Sequence, residues 1–209
     1  MNRPKPPVVL VFGEDDNDRE AVKQLLYALR PDLPTVAKRA RPLVLVKGRE
    51  AAKARKNALD VARVARAERT RSDVRMVFAH QDCDAVEPAH EAIARDIEAH
   101  LSAAGERAIA VVPAWEMEAW WFLWPDAAQA VNPSWARPAR TGERVGLIVN
   151  AKEALRRALR PKGKRARDYE ESDGPRIAEQ VRLRGEVRRP DAQNASFERF
   201  RERVDAAAL

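Results

Sequence analysis

The chain has 209 residues, a length typical of one domain, and 34% of them are charged, with a formal net charge of +7. Its single cysteine excludes an internal disulfide and fits a reducing cytoplasm. A membrane-spanning helix would need a run of about 18 apolar residues, which does not occur, and the N-terminal segment lacks the features of a secretory signal peptide.

The first half of the chain alternates short apolar runs with amphipathic patterns. The run 8–12 predicts a buried parallel strand, and apolar residues three and four positions apart predict a helix over 18–30. The alternation continues with strands at 43–46, 74–79 and 107–112 and with helices at 50–68 and 87–103. Strands separated by helices of this length form βαβ units, so we predict an α/β fold with a mostly parallel four-stranded sheet flanked by helices.

The second half changes character after residue 113. The segment 115–124 (WEMEAWWFLW) predicts an aromatic helix that ends at Pro125, and tryptophans at helical spacing are expected to pack inward. Three further amphipathic segments lie at 151–159, 175–183 and 196–208. We predict an α/β core over residues 1–130 and a helical C-terminal extension over residues 131–209 that packs on the core.

Two acidic loops follow two of the predicted strands. Glu14 and Asp15 come directly after the first strand, and Asp82 and Asp84 follow the third. Ligands of open parallel sheets bind beyond the carboxyl ends of the strands, and like charges gathered there repel unless a cation or a raised pKa relieves them. Carboxylate oxygens suit Mg²⁺ or Mn²⁺, so we expect a divalent metal site formed by Glu14, Asp82 and Asp84, with Asp15 as a further candidate.

Each of these acidic residues also has a purely structural interpretation. Asp16 or Asp18 is expected to cap the helix that follows the first strand. Asp82 and Asp84 could simply shape a turn, although the second acidic loop at the same sheet edge favours a metal. For Glu14 the sequence leaves three interpretations open: a metal ligand, a general base or a solvated residue.

Two segments resemble the motifs of TOPRIM domains. Residues 9–16 (VLVFGEDD) are similar to the motif of a strand ending in Glu-Gly followed by acidic residues, and residues 77–84 (VFAHQDCD) to a later strand ending in Asp-x-Asp. The resemblance implies a TOPRIM or Rossmann-like fold whose acidic residues bind Mg²⁺ for phosphodiester chemistry. The family has its glutamate before the glycine, where this chain has Phe12. Either Glu14 takes over that role, or catalysis is weakened or lost.

Later segments extend the resemblance to small bacterial TOPRIM-like proteins of unassigned function, related to OLD-type nucleases. Residues 113–121 (PAWEMEAWW) are similar to their Glu-x-Glu-Ala-Trp-Leu-type helix. Lys152-Glu153 and the Ser196-to-Phe200 segment also match patterns of those proteins. Relatives often occur in phage-defence loci, which implies a role in antiviral defence.

Glu116 and Glu118 are two residues apart, so on a helix they would lie about 200° from each other and could not both face one site. The resemblance favours Glu118 as an additional metal ligand, and the alternative is a solvated glutamate on a core-packing helix. His80 either assists proton transfer near the acidic loops or is a hydrogen-bonded residue at a strand end.

These features predict a Mg²⁺- or Mn²⁺-dependent nuclease or phosphodiesterase that acts on nucleic acid, with DNA as the expected substrate. Glu14, Asp82 and Asp84 would be its catalytic residues. The alternative is a catalytically silent TOPRIM-like subunit that binds nucleic acid or a partner protein in a defence complex. The chain could also form a homodimer.

Basic residues are expected to hold the nucleic-acid backbone without reading its sequence. They are Lys47, Arg49, Lys53, Arg55, Lys56, Lys162, Lys164 and Arg165. A GC-rich genome would by itself produce a chain rich in arginine and alanine, so the positive charge alone does not decide for nucleic acid.

Overall fold

The computed structural model describes residues 4–39, 51–161 and 167–208. Its strands are β1 (Pro7–Phe12), β2 (Thr35–Arg39), β3 (Asp73–His80) and β4 (Ala108–Val111). All neighbouring strands are parallel, and their order in the sheet is β2-β1-β3-β4. The predicted α/β fold with a four-stranded sheet is therefore confirmed, and the described sheet is entirely parallel.

Helices connect and flank these strands. They are α1 (Asp16–Leu29), α2 (Ala51–Glu68), α3 (Ala89–Ala103), α4 (Glu118–Trp121), α5 (Pro125–Val131), α6 (Ala151–Ala158), α7 (Gly174–Leu183) and α8 (Ala195–Asp205). Single 3₁₀ turns lie at Val145–Leu147 and Glu171–Asp173. Among the described residues, no helix has both the length and the apolar character needed to cross a membrane.

The second strand differs from the sequence prediction. The structure forms β2 at Thr35–Arg39, and the predicted strand at 43–46 lies outside the described residues. In β2 only Val36 is buried, and the strand ends with two basic residues, Lys38 and Arg39. Charged residues on an edge strand discourage pairing with other chains, and here they also break the apolar run that marks a buried strand.

Side chains of the central strands pack into two hydrophobic clusters, one on each face of the sheet. Val9 and Val11 of β1 pack with α1 and the helices of the C-terminal extension. Leu10 and Phe12 pack with α2 and α3. Successive side chains of a strand point to opposite faces, so burial on both faces explains why β1 is apolar at every position.

The strand order creates a crevice at the carboxyl edge of the sheet. From β1 the chain passes through α1 to β2 on one side, and from β3 it passes through α3 to β4 on the other. Since α1 and α3 lie on opposite faces, the loops after β1 and β3 diverge from two adjacent strands. The two acidic loops of the sequence leave the sheet at this point.

The aromatic segment 115–124 is not one helix, as the sequence pattern had predicted. Only Glu118–Trp121 is helical, and Pro125 begins α5 rather than ending a helix. Trp115 has a left-handed backbone with φ of 60°, and it exchanges backbone hydrogen bonds with the loop after β3, including 2.7 Å from its N–H to the Ala85 carbonyl. This pairing between loops overrides the helical pattern. The prediction that the tryptophans pack inward is confirmed for Trp120, Trp121 and Trp124, which are buried.

Helix α8 is tied to the core through the buried side chain of Ser196. Its Oγ accepts hydrogen bonds of 2.9 Å from the Ala114 N–H and from Trp120 Nε1, and it donates to Asn194 Oδ1 at 2.6 Å. Phe200, one turn later, stacks on the Trp120 ring with 5.4 Å between centroids. The serine and phenylalanine of this C-terminal segment therefore have a structural role.

Replacing Ser196 with alanine should lower the free energy of unfolding by roughly 2–4 kcal/mol, because two buried donors lose their acceptor. Urea denaturation followed by tryptophan fluorescence measures this change. Ser102→Ala, at an exposed position of α3, is the matched control and should leave stability nearly unchanged. Equal stability of the two variants would contradict the anchoring role of Ser196.

Candidate functional site

A pocket of about 180 Å³ opens at the carboxyl edge of the sheet, where β1 and β3 end. Its walls come from the loops after these strands, from α1 and α4, and from the segments around α6 and α7. The acidic residues in its lining are Glu14, Asp15, Asp18, Asp82, Glu118 and Glu171. The described lining includes one lysine, Lys152, so the pocket is strongly acidic although the chain as a whole is basic.

Glu14 enters the pocket from a tightly packed loop. At the preceding Gly13, a Cβ atom would lie 3.0 Å from Arg19 Cγ and 3.2 Å from His80 Cβ, so a larger residue would force its neighbours to move. The buried guanidinium of Arg19 donates to the Gly13 carbonyl at 3.0 Å and holds the loop from below. The close packing explains why a glycine precedes Glu14.

The first turn of α1 distributes its acidic residues differently from the sequence prediction. The helix is capped by Asp15, whose Oδ1 accepts from the Asp18 N–H at 2.8 Å, so the expectation that Asp16 or Asp18 is the cap is wrong. Asp16 is exposed and forms ion pairs with Arg19 and Lys38. Asp18 lines the pocket and is a site residue that the sequence analysis did not assign. Asp18 lies three residues before Ala21, which is buried, so the helical spacing places both side chains on the same face of α1.

His80 lies between two of these carboxylates. It is buried at the end of β3, with Nδ1 at 3.7 Å from Asp18 Oδ2 and Nε2 at 3.4 Å from Asp82 Oδ1. Burial alone would lower the pKa of His80, but the charges of Asp18, Asp82 and Glu14 outweigh it and raise the pKa to about 9. At neutral pH the imidazole is therefore charged and compensates part of the negative charge.

Two carboxyl groups that line the pocket have raised pKa values. Burial, reinforced by Asp82, raises the pKa of Asp18 to about 6 despite the opposing effect of His80. Burial and the charge of Asp82 likewise raise the pKa of Glu118 to about 7. Both groups hold protons more tightly than ordinary carboxyl groups, chiefly because burial disfavours their charged forms.

The two glutamates of the aromatic segment have separate surroundings, although Glu116 precedes α4 and only Glu118 lies on a helix. Glu118 begins α4 and lines the pocket, and its Oε1 accepts a hydrogen bond of 3.1 Å from the hydroxyl of Tyr169. Glu116 Oε2 accepts from the backbone N–H of Lys152 at 3.0 Å and so positions the first turn of α6. The side chain of Lys152 reaches the pocket and pairs with Glu171 at 2.7 Å.

The structure gathers Glu14, Asp82 and Glu118 in one pocket and leaves Asp84 outside its lining. Asp84 is exposed, and its backbone is left-handed, with φ of 54°. The chain turns here because the Asp84 N–H bonds to the Trp115 carbonyl at 2.9 Å. Between the two aspartates Cys83 is buried, and burial raises the pKa of its thiol. A metal-binding role of Asp84 stays a prediction.

The donor chemistry of the pocket fits a divalent cation that keeps much of its water. Within the described residues, no three His, Cys, Asp or Glu side chains are arranged to hold a metal ion between them. Mg²⁺ normally binds proteins through one or two carboxylates and completes its coordination with water and phosphate oxygens. Glu14 and Asp82 could supply that number of ligands, and the excess of carboxylates over basic groups in the lining favours a cation.

The predicted nucleic-acid residues fall into two groups. Lys53, Arg55 and Lys56 are exposed on α2, which packs on the opposite face of the sheet from α1 and α7. The other members of the set lie outside the described residues: Lys47, Arg49, Lys162, Lys164 and Arg165.

Comparison of the chain with protein-family models, with curated proteins and with solved structures gives no significant match.

The raised pKa values of Asp18 and Glu118 predict that metal-free protein loses stability as pH rises. Between their ordinary pKa values of 3.8 and 4.5 and their folded values of about 6 and about 7, the folded state binds more protons than the unfolded state. The free energy of unfolding therefore falls across this window. His80 acts in the same direction between 6.5 and about 9.

Glu118→Gln should flatten the part of this decline that ends near pH 7, since glutamine keeps the size and the acceptor oxygen but does not titrate. Urea denaturation at a series of pH values in the presence of a chelator measures the slope. Glu198→Gln, at an exposed position of α8, controls for loss of a carboxyl group as such. If Glu118→Gln leaves the pH dependence of the free energy of unfolding unchanged, Glu118 is not the group whose proton binding causes this part of the decline.

Proposed function

We propose that this protein is a divalent-metal-dependent phosphodiesterase of TOPRIM-like type that cleaves nucleic acid. The observation that carries the proposal is the meeting of Glu14 and Asp82 in one acidic pocket at the carboxyl edge between β1 and β3. These residues belong to the two segments that resemble the TOPRIM motifs. The resemblance to proteins of phage-defence loci further supports DNA as the substrate and antiviral defence as the setting.

Glu14 and Asp82 would hold the ion, and Asp18 would add negative charge beside them. When bound, Mg²⁺ or Mn²⁺ polarises a phosphate and lowers the pKa of an attacking water. His80 would place a positive charge between Asp18 and Asp82, because one ring nitrogen faces each carboxylate. Glu14 is the alternative general base.

Glu118 is better suited to accept a proton than to bind the ion. Burial raises the pKa of Glu118 to about 7 in the metal-free protein, near the pH at which general base catalysis is most effective. Lys152 lies near it in the pocket and offers a positive charge to a phosphate oxygen. The exposed basic residues of α2 would bind the nucleic-acid backbone away from the pocket.

Asp82→Asn and Glu14→Gln should each reduce Mg²⁺- or Mn²⁺-dependent cleavage of DNA at least about 100-fold, because each removes a charged ligand. Asp84→Asn is the informative comparison, since Asp84 follows Asp82 by two residues in the motif but lies outside the pocket lining. Cleavage is measured on single-stranded and double-stranded substrates at saturating metal. Undiminished cleavage by both pocket variants would refute the assignment, and loss of cleavage in Asp84→Asn would add Asp84 to the ligands.

The alternative, a catalytically silent TOPRIM-like subunit, is favoured by one observation. Phe12 occupies the position of the family's glutamate, and its side chain is completely buried in the cluster with α2 and α3. No ligand can come from this position.

Titration with Mn²⁺ separates the two functions, because an ion that binds only the folded state raises the melting temperature. The nuclease proposal expects a rise of several degrees at millimolar Mn²⁺ that is lost in Asp82→Asn. Ca²⁺ and K⁺ at equal ionic strength control for general salt effects. The same melting temperature with and without Mn²⁺ would favour the silent subunit.

A further inference from the structure

The hydroxyl group of Tyr169 links the C-terminal extension to the pocket. Tyr169 is buried, with 2% of its surface exposed, and its hydroxyl donates to Glu118 Oε1 across 3.1 Å. The two residues are 51 positions apart in the chain, so the contact depends on the tertiary fold. It is a hydrogen bond to an acidic group in a largely buried setting, which is stronger than one between neutral groups at the surface.

The direction of this hydrogen bond follows from its two partners. The Tyr169 hydroxyl donates its proton, and a carboxylate oxygen of Glu118 accepts it. Burial also raises the pKa of the Tyr169 phenol, which keeps this proton on the oxygen.

The segment that carries Tyr169 is itself held in place. The Tyr169 ring lies edge-on to Trp135 with 6.1 Å between centroids, and Trp135 Nε1 donates to the Arg167 carbonyl at 2.9 Å. The guanidinium of Arg167 forms two hydrogen bonds with the buried carboxylate of Asp173, at 2.5 and 2.6 Å. These contacts hold the chain in place on both sides of Tyr169.

We propose that Tyr169 is a positioning residue that orients the Glu118 carboxyl group toward the reacting phosphate, so that the C-terminal extension completes the site. The inference rests on the proposed function for the role of Glu118. Tyr169 connects the C-terminal extension to α4, the helix that begins with Glu118. Without the hydroxyl, Glu118 keeps its place on α4 but loses the donor that selects its orientation.

Tyr169→Phe tests this role, because it removes the hydroxyl and keeps the ring. The variant should lower kcat for DNA cleavage about 10-fold or more and leave KM within about 2-fold, as expected for an interaction that serves the chemical step. The pH profile of kcat should shift to higher pH, because a donated hydrogen bond favours the charged carboxylate. In a Glu118→Gln background, Tyr169→Phe should cause no further loss. A wild-type kcat and pH profile in Tyr169→Phe would overturn the proposal.

Tyr27→Phe is the matched control, since Tyr27 is the other tyrosine of the chain. Its hydroxyl accepts from the Val36 N–H at 2.9 Å and lies outside the pocket lining. This variant should keep the kcat and pH profile of the wild-type protein. An equal loss of kcat in both tyrosine variants would indicate a general structural effect and would overturn the positioning role.

A second readout does not require cleavage. In protein labelled with ¹³C at glutamate carboxyl groups, the Glu118 signal is assigned by its absence from Glu118→Gln. Tyr169→Phe should move the titration midpoint of this signal to higher pH, and Tyr27→Phe should not. If wild-type protein cleaves no substrate, the proposed function fails while a shifted midpoint still supports the contact. An unchanged midpoint overturns the inference whether or not the protein is a nuclease.

Discussion

Carboxylates crowded into a buried pocket repel one another, and the site of this protein is organised by the groups that counter this repulsion. His80 supplies a positive charge between Asp18 and Asp82 from beneath the pocket. Lys152 supplies another from the side of the C-terminal extension. Asp18 and Glu118 also bind protons more tightly than ordinary carboxyl groups, because burial raises their pKa values. A site in this condition attracts cations, and a bound divalent ion would replace protons as the source of positive charge.

The C-terminal extension is a wall of this pocket and not a separate attachment. Helix α7 packs against α1, and the extension shares one hydrophobic cluster with β1 and β3. Ser196 anchors α8 to the backbone after β4, while Tyr169 reaches Glu118 on α4. Interactions that stabilise the extension therefore also position the acidic residues. Stability and chemistry are coupled here through buried hydrogen bonds, whose loss is costly because no water can replace the missing partner.

The errors in the sequence prediction have physical causes. The edge strand β2 carries charged residues in place of a continuous apolar run, so its pattern resembles that of a loop. The helical pattern of residues 115–124 is interrupted because Trp115 bonds to the loop after β3. Helix α1 is capped by Asp15 rather than by Asp16 or Asp18. Which of these neighbouring acidic residues is the cap depends on the exact residue at which the helix begins. For β2 and for Trp115, contacts distant in sequence decided between patterns that local propensity left nearly equal.

What the sequence alone determined is the alternation of apolar runs and helices, and hence a parallel sheet with acidic loops at its carboxyl edge. That prediction rests on side-chain periodicity and on the handedness of βαβ crossovers, which are local properties of the chain. Only the tertiary structure decided that Asp82 enters the pocket while Asp84 lies outside its lining, and that Asp18 and Tyr169 belong to the site. These outcomes depend on the direction of individual side chains after the strands end. Beyond a strand the backbone has no fixed period, so packing against distant segments determines where each carboxylate points.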